Sequence, residues 1–220
     1  MSSSPTPAAS AVPGSAAAPH VVVVEDCFGV VQLLSDGTVR RSTDYSVLPL
    51  VGGVPSDLPV EWKDVVYDDT HGLRLRMYRP TTTGGGGEKH RKLPVLVYFH
   101  GGGFCLASFE LINFHAGALR LAAELPALVL SADYRLAPEH RLPAAFDDAD
   151  SVLAWLRAQA SAAAEPWLAE SADFGRVFVG GDSAGGTISH HVAARHGAGS
   201  LALAPLRLAG YVLLWTFFGG

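Results

Sequence analysis

Hydrophobic and polar residues change their spacing along this chain, and each change marks an element. Residues 1–19 are almost entirely Ser, Ala and Pro, so no periodic apolar face can be built from them and they read as a disordered tail. Val21 to Leu34 is largely apolar and leads into the turn Ser35-Asp36-Gly37. Residues 38–60 mix polar, Pro and Gly positions, which predicts an irregular arm lying over a core. From Trp62 the period becomes two. Val65 and Tyr67 alternate with polar residues, and Leu73, Leu75 and Met77 alternate with Arg74, Arg76 and Tyr78, predicting two half-buried strands in a hairpin. Gly84 to Gly87, followed by Glu88-Lys89-His90-Arg91-Lys92, reads as a flexible charged loop.

Beyond that loop, buried strands and helices alternate. Strands are expected at 95–99, 127–132, 174–179 and 208–215, and helices at 109–125, 144–160 and 184–196. That order predicts an α/β fold with a mostly parallel sheet and helices on both faces. The expected organisation is a tail (1–19), an N-terminal arm or cap segment (20–60) and an α/β core (61–220).

The 220 residues are 49% hydrophobic and 17% charged, which describes a globular chain with a large core and excludes a mostly disordered one. A net charge of −5 argues against a nucleic-acid partner, which needs a basic face. No apolar run approaches the ~20 residues that span a bilayer, and no membrane partner is expected. Cys27 and Cys105 are too few for a disulfide scaffold or a Cys-based zinc site, so the expected compartment is reducing, the cytoplasm. The start has no basic segment leading into an apolar one, and its first Arg is Arg40, so neither a secretory signal nor a transit peptide is read there.

The strongest chemical signal is Gly181-Asp182-Ser183-Ala184-Gly185-Gly186. It contains G-x-S-x-G between a predicted strand and a predicted helix, the context of a nucleophile elbow. The turn pushes the Ser183 hydroxyl outward, glycines relieve the crowding around it, and the helix N-terminus favours negative charge on a reacting oxygen. A second signal, His100-Gly101-Gly102-Gly103-Phe104, leaves the buried strand ending at Phe99. An HGGG run in that position is the lipase and esterase form of an oxyanion loop, whose backbone N–H groups stabilise the charge that acyl transfer develops. The charged group Asp133, Tyr134, Arg135 and Glu139 reads as a brace for a buried turn, and Asp147, Asp148 and Asp150 as helix-start acids.

His100–Phe104, Asp133–Glu139 and Gly181–Gly186 together resemble the signatures of the hormone-sensitive-lipase-like branch of the α/β-hydrolases. Ser35–Thr38, Trp62–Val65 and the stretch Gly210 to Gly220 are similar to its plant carboxylesterases. The resemblance implies Ser183 as nucleophile, the N–H groups of Gly102, Gly103 and Ala184 as oxyanion hole, and His100 as a support for the loop. It implies an α/β-hydrolase fold lacking the last strands, an arm at 21–60 that touches substrate, no cofactor and no metal.

This fold orders its triad as Ser, then an acid, then His. No Asp or Glu follows Ser183, and the later histidines, His190, His191 and His196, fall on the helix that begins at the nucleophile. They lie roughly 10, 12 and 20 Å along it and read as a polar helix face. The triad Asp and His are therefore not in this chain, which looks like the N-terminal two-thirds of a plant carboxylesterase. The expected function is hydrolysis of small apolar esters or lactones by descent, with little activity in these 220 residues alone. The alternative is a hormone-binding protein without catalysis, similar to the gibberellin receptors, which keep the elbow Ser and lose the His.

Overall fold

A computed structural model describes residues 20–49, 53–81, 92–197 and 200–218. The expected tail at 1–19 and the Gly84–Gly87 loop lie outside the described residues.

The core is a six-stranded sheet built from β4 (Val60–Asp68), β5 (Leu73–Pro80), β6 (Leu93–Phe99), β7 (Leu128–Ala132), β8 (Ala172–Asp182) and β9 (Leu208–Leu214), in the order β4-β5-β7-β6-β8-β9. The first three strands in this order pair antiparallel, and β7, β6, β8 and β9 run parallel. Helices α1 (Ile112–Glu124), α2 (Ala144–Ala162), α3 (Pro166–Ser171) and α4 (Ala184–His196) complete it. The expected mostly parallel sheet is present, with helices on both faces.

Period-two alternation in the central strands feeds two separate cores. Val95, Val97 and Phe99 pack with Val152, Leu153 and Leu156 of α2 and Ile188 and Val192 of α4. Leu96 and Val129 point the other way, against Ala118, Leu119 and Ala122 of α1. A strand covered on both sides has to be apolar on both sides, which is why β6 and β7 read as continuous hydrophobic runs.

Strand β5 departs from its expected half-buried character. Leu75 and Met77 face the α2 side, but Arg76 and Tyr78 on the α1 side are also buried. Their polar ends are satisfied there. Arg76 donates to both carboxylate oxygens of Asp64 at 2.6 and 2.9 Å, and the Tyr78 hydroxyl meets His115 Nδ1 at 2.8 Å. Burial, with Arg76 next to it, holds the His115 pKa below its ordinary value. The folded state thus binds a proton at His115 less readily than the unfolded chain does. Stability from this site is complete above the unfolded pKa near 6.5 and falls as pH drops below it. Thermal unfolding measured at pH 7.5 and again about two units lower should show a smaller acid loss in His115→Gln than in the parent.

The arm is more regular than its sequence predicts. Val23–Cys27, Val31–Leu34 and Val39–Arg41 form a separate antiparallel sheet, β1-β2-β3. A tight turn at Phe28-Gly29, both with positive φ, splits the apolar stretch, and Asp26 closes it by accepting from Gly29 N at 2.6 Å.

At the other end of the core sheet, β9 is paired only with β8 among the described residues. Val212 and Leu214 on its α1 side are about 40% exposed, at 42% and 38%, and Trp215, Phe217 and Phe218 beyond it are more exposed still. An open edge beside an apolar face recruits further strands. The 220-residue chain should therefore self-associate in size-exclusion chromatography at micromolar concentration, and Val212→Lys should shift it toward monomer. An unchanged elution profile would contradict this.

Candidate active site

Strands β6 and β8 are parallel neighbours, with Phe99 opposite Gly181, so the chain leaves both strands at the same edge of the sheet. The two glycine-rich turns follow directly. From β6 comes His100–Phe104, and from β8 comes Asp182-Ser183, with α4 beginning at Ala184.

Ser183 adopts φ 49°, ψ −115°, a conformation unfavourable to a residue with a Cβ, at a cost of about 1–3 kcal/mol. Its amide donates to the Leu214 carbonyl at 2.9 Å, and its side chain makes no capping bond to α4. The glycines flanking it are required by crowding. A Cβ on Gly181 would lie 2.5 Å from the Phe99 carbonyl oxygen and from Gly185. A Cβ on Gly185 would lie 2.5 Å from the Phe99 carbonyl carbon and 2.7 Å from the His100 carbonyl oxygen. The first turn of α4 thus rests on the end of β6, and this contact holds elbow and glycine loop together.

Asp182 adds a polar link that sequence reasoning missed. Its Oδ1 accepts from Gly101 N at 3.1 Å and from the Tyr98 hydroxyl at 2.9 Å. Burial holds the Tyr98 phenol protonated, with its pKa well above the ordinary value, so it remains a donor. These bonds span more than eighty residues of sequence, and no local pattern announces them.

Gly102 and Gly103 have φ of 121° and 60°, and the Gly102 carbonyl accepts from Cys105 N and Leu106 N at 3.1 and 2.9 Å. The N–H groups of Gly102 and Gly103 donate to no backbone acceptor among the described residues. His100 is fully buried beneath the loop. Its Nδ1 meets the Gly101 carbonyl at 2.7 Å, and its ring stacks on Tyr134 at 4.5 Å between centroids. Tyr134 in turn donates to the His100 carbonyl at 2.8 Å.

The other charged residues singled out in the sequence make structural bonds. Asp133 accepts from Phe109 N and the Ser108 hydroxyl at 2.9 and 3.0 Å. Arg135 pairs with Asp148 at 2.7 Å, which corrects the reading of Asp148 as a mere helix-start acid: it is fully buried beneath that pair. Glu139 holds Arg41 of the arm through two bonds of 2.8 and 2.6 Å. Arg41 also donates to the carbonyls of Cys105 and Ala137, both at 2.7 Å, so β3 is tied to the glycine loop and to the turn after β7.

The histidines of α4 are not a free polar face. His191 stacks on Phe146 at 4.3 Å, His190 meets Phe218 edge-on at 5.0 Å, and His196 pairs with Asp150 at 3.0 Å. These partners occupy them away from the elbow, because α4 carries them along its axis from Ser183. No group of three His, Cys, Asp or Glu among the described residues could hold a metal. No helix among them is long and apolar enough to cross a membrane.

A family model for the α/β-hydrolase fold matches residues 96–218. Probable carboxylesterase 6 of Arabidopsis thaliana is 40% identical over 202 residues, 91% of this chain and 57% of that protein. The amyloplastic tuliposide A-converting enzyme b1 of Tulipa gesneriana is 40% identical over 168 residues, 76% of this chain and 42% of that protein. Among solved structures, an esterase of Pyrobaculum calidifontis is 32% identical, with a TM-score of 0.56 over 73% of this chain and 46% of its own. The chain thus spans about half the length of the relatives it matches. With the strand order, the elbow and the glycine loop, these likenesses make the chain a member of the α/β-hydrolase fold family, in its plant carboxylesterase branch.

Proposed function

We propose that this chain carries the nucleophile and oxyanion half of a serine carboxylesterase. The observation that supports it most is the junction of the two glycine turns, where Gly185 abuts the end of β6 and Asp182 bonds Gly101. In this reading Ser183 Oγ attacks the ester carbonyl. The oxyanion that forms accepts from the N–H groups of Gly102, Gly103 and Ala184, each contributing about 3 kcal/mol of transition-state stabilisation. The alcohol leaves, and water releases the acyl group from Ser183. His100 supports the loop from below, held by Tyr134, and takes no proton.

Ser183 needs a base within about 3 Å of its hydroxyl. Neither His100 nor the α4 histidines serve: His100 is buried beneath the loop with its Nδ1 on the Gly101 carbonyl, and α4 carries His190, His191 and His196 roughly 10, 12 and 20 Å along its axis from Ser183. The base and its acid partner are therefore not assigned to any residue of these 220.

Small apolar esters or lactones suit the arm, whose Val30 and Val31 pack on Leu106 and Ala107 just after the glycine loop. The test uses a chimera in which the 220 residues are continued by the C-terminal part of a curated carboxylesterase relative. Turnover of a short-chain nitrophenyl ester should fall by about six orders of magnitude in Ser183→Ala. Deleting residues 1–19 should leave turnover nearly unchanged, and deleting 1–40, which removes β1 and β2, should alter KM strongly. Equal turnover in the two deletions would remove the arm from the substrate pocket.

A further inference from the structure

The chain has two cysteines, 78 positions apart in sequence, and the fold brings both to one groove. Cys27 ends β1 of the arm, and Cys105 lies two residues past Gly103. Both are free and half-buried, and both pack on the cluster of Val30, Val31, Leu106 and Ala107. Both line one groove of about 260 Å³, bordered by Asp26, Leu33 and Pro138. The Cys105 thiol donates to the Gly102 carbonyl at 3.6 Å, on the oxyanion-loop side of that groove. Arg41 fixes the same seam from the other side through the Cys105 carbonyl.

We infer that Cys27 and Cys105 form a redox site: hydrogen peroxide oxidises them to an intramolecular disulfide that staples the arm to the glycine loop. One thiolate attacks a peroxide oxygen and breaks the O–O bond, giving a sulfenic acid and hydroxide, which takes up the first thiol's proton as water. The second sulfur then attacks the sulfenic sulfur and forms the S–S bond. The oxygen leaves as hydroxide and becomes water with the second proton. Two thiols lose two electrons, and the peroxide is reduced to two waters.

Burial and the nearby Cys27 raise the Cys105 pKa, with Arg41 opposing them. Cys105 therefore stays protonated at neutral pH and reacts faster as pH rises. In the reduced form the arm is held by non-covalent contacts, among them the Arg41 bonds and the small apolar cluster. In the oxidised form it is covalently closed over the turn that carries Gly102 and Gly103. This site is independent of whether Ser183 is a nucleophile.

The 220-residue chain is treated with hydrogen peroxide in native buffer and in concentrated urea, and sampled over time by alkylation and peptide mass mapping. The expected result is a Cys27–Cys105 peptide, lighter by two hydrogens, forming at least about tenfold faster in native buffer, because the fold supplies the effective concentration. Limited proteolysis of the oxidised protein should cut the arm but release it only after reduction. Cys27→Ser and Cys105→Ser should each leave one thiol and form no intramolecular link. The Val212→Lys variant repeats the comparison with the sheet edge blocked. Equal rates in buffer and urea for both chains, links only between molecules, or two thiols surviving in native buffer would each overturn the proposal.

Discussion

Gly185→Ala should destabilise the chain by about 3 kcal/mol or more, whereas Gly117→Ala should stabilise it by about 0.5–1 kcal/mol. Both glycines lie inside helices, so helix propensity alone favours alanine at each. The difference is what the new methyl group meets. At Gly117, exposed on α1, it meets nothing within 4 Å. At Gly185 it meets the backbone of Phe99 and His100, which cannot turn aside as a flexible side chain would. Relief would require α4 to lift off β6 and carry Ser183 away from the glycine loop. Chemical denaturation of the two variants tests this, and opposite signs are expected. A Gly185→Ala chain as stable as the parent would mean that elbow and loop are not packed as described.

The elbow was the most legible part of the sequence, for a physical reason. G-x-S-x-G can be satisfied only where a strand turns sharply into a helix, so the motif dates its own boundary, and α4 begins at Ala184 as expected. The continuous apolar runs of β6 and β7 likewise report burial on both faces. Less was legible where polar residues are buried. Arg76 and Tyr78 mimic a solvated face in the alternation, because pairing to Asp64 and His115 happens across the fold. Helix α3 was missed because six residues give no period, although Glu165-Pro166 carries the signal of a start: Glu165 caps Leu168 N at 2.9 Å and Pro166 sits in the first turn. The expected helix at 109–125 begins only at Ile112, since Phe109 N and the Ser108 hydroxyl are taken by Asp133. The arm sheet was hidden because Val21–Leu34 reads as one apolar stretch, while Asp26 and Gly29 fold it back on itself.

The second large effect concerns the reactivity of Ser183, and it separates geometry from chemistry. Ser183 stands at the turn between β8 and α4, whose first turn rests on the end of β6, but an elbow serine becomes a strong nucleophile only when a base takes its proton. In the proposed reading Gly102, Gly103 and Ala184 supply donors for an oxyanion and no base is assigned among the described residues, since His100 lies buried beneath the loop and α4 carries its histidines away from Ser183. An oxyanion hole alone retains only a small part of the acceleration of a complete triad. Reaction at Ser183 should therefore be slow in the 220 residues by themselves and rise by several orders of magnitude once a base is within reach.

A fluorophosphonate probe at neutral pH measures this directly, because it reacts with an activated serine without needing a particular substrate. The 220-residue chain should label almost undetectably. The chimera continued by the C-terminal part of a curated relative should label rapidly, and Ser183→Ala in that chimera should abolish the signal. Rapid labelling of the chimera that persists in Ser183→Ala would contradict the assignment of Ser183. Rapid, Ser183-dependent labelling of the 220-residue chain would show that a base lies within it, with His100 the first to replace.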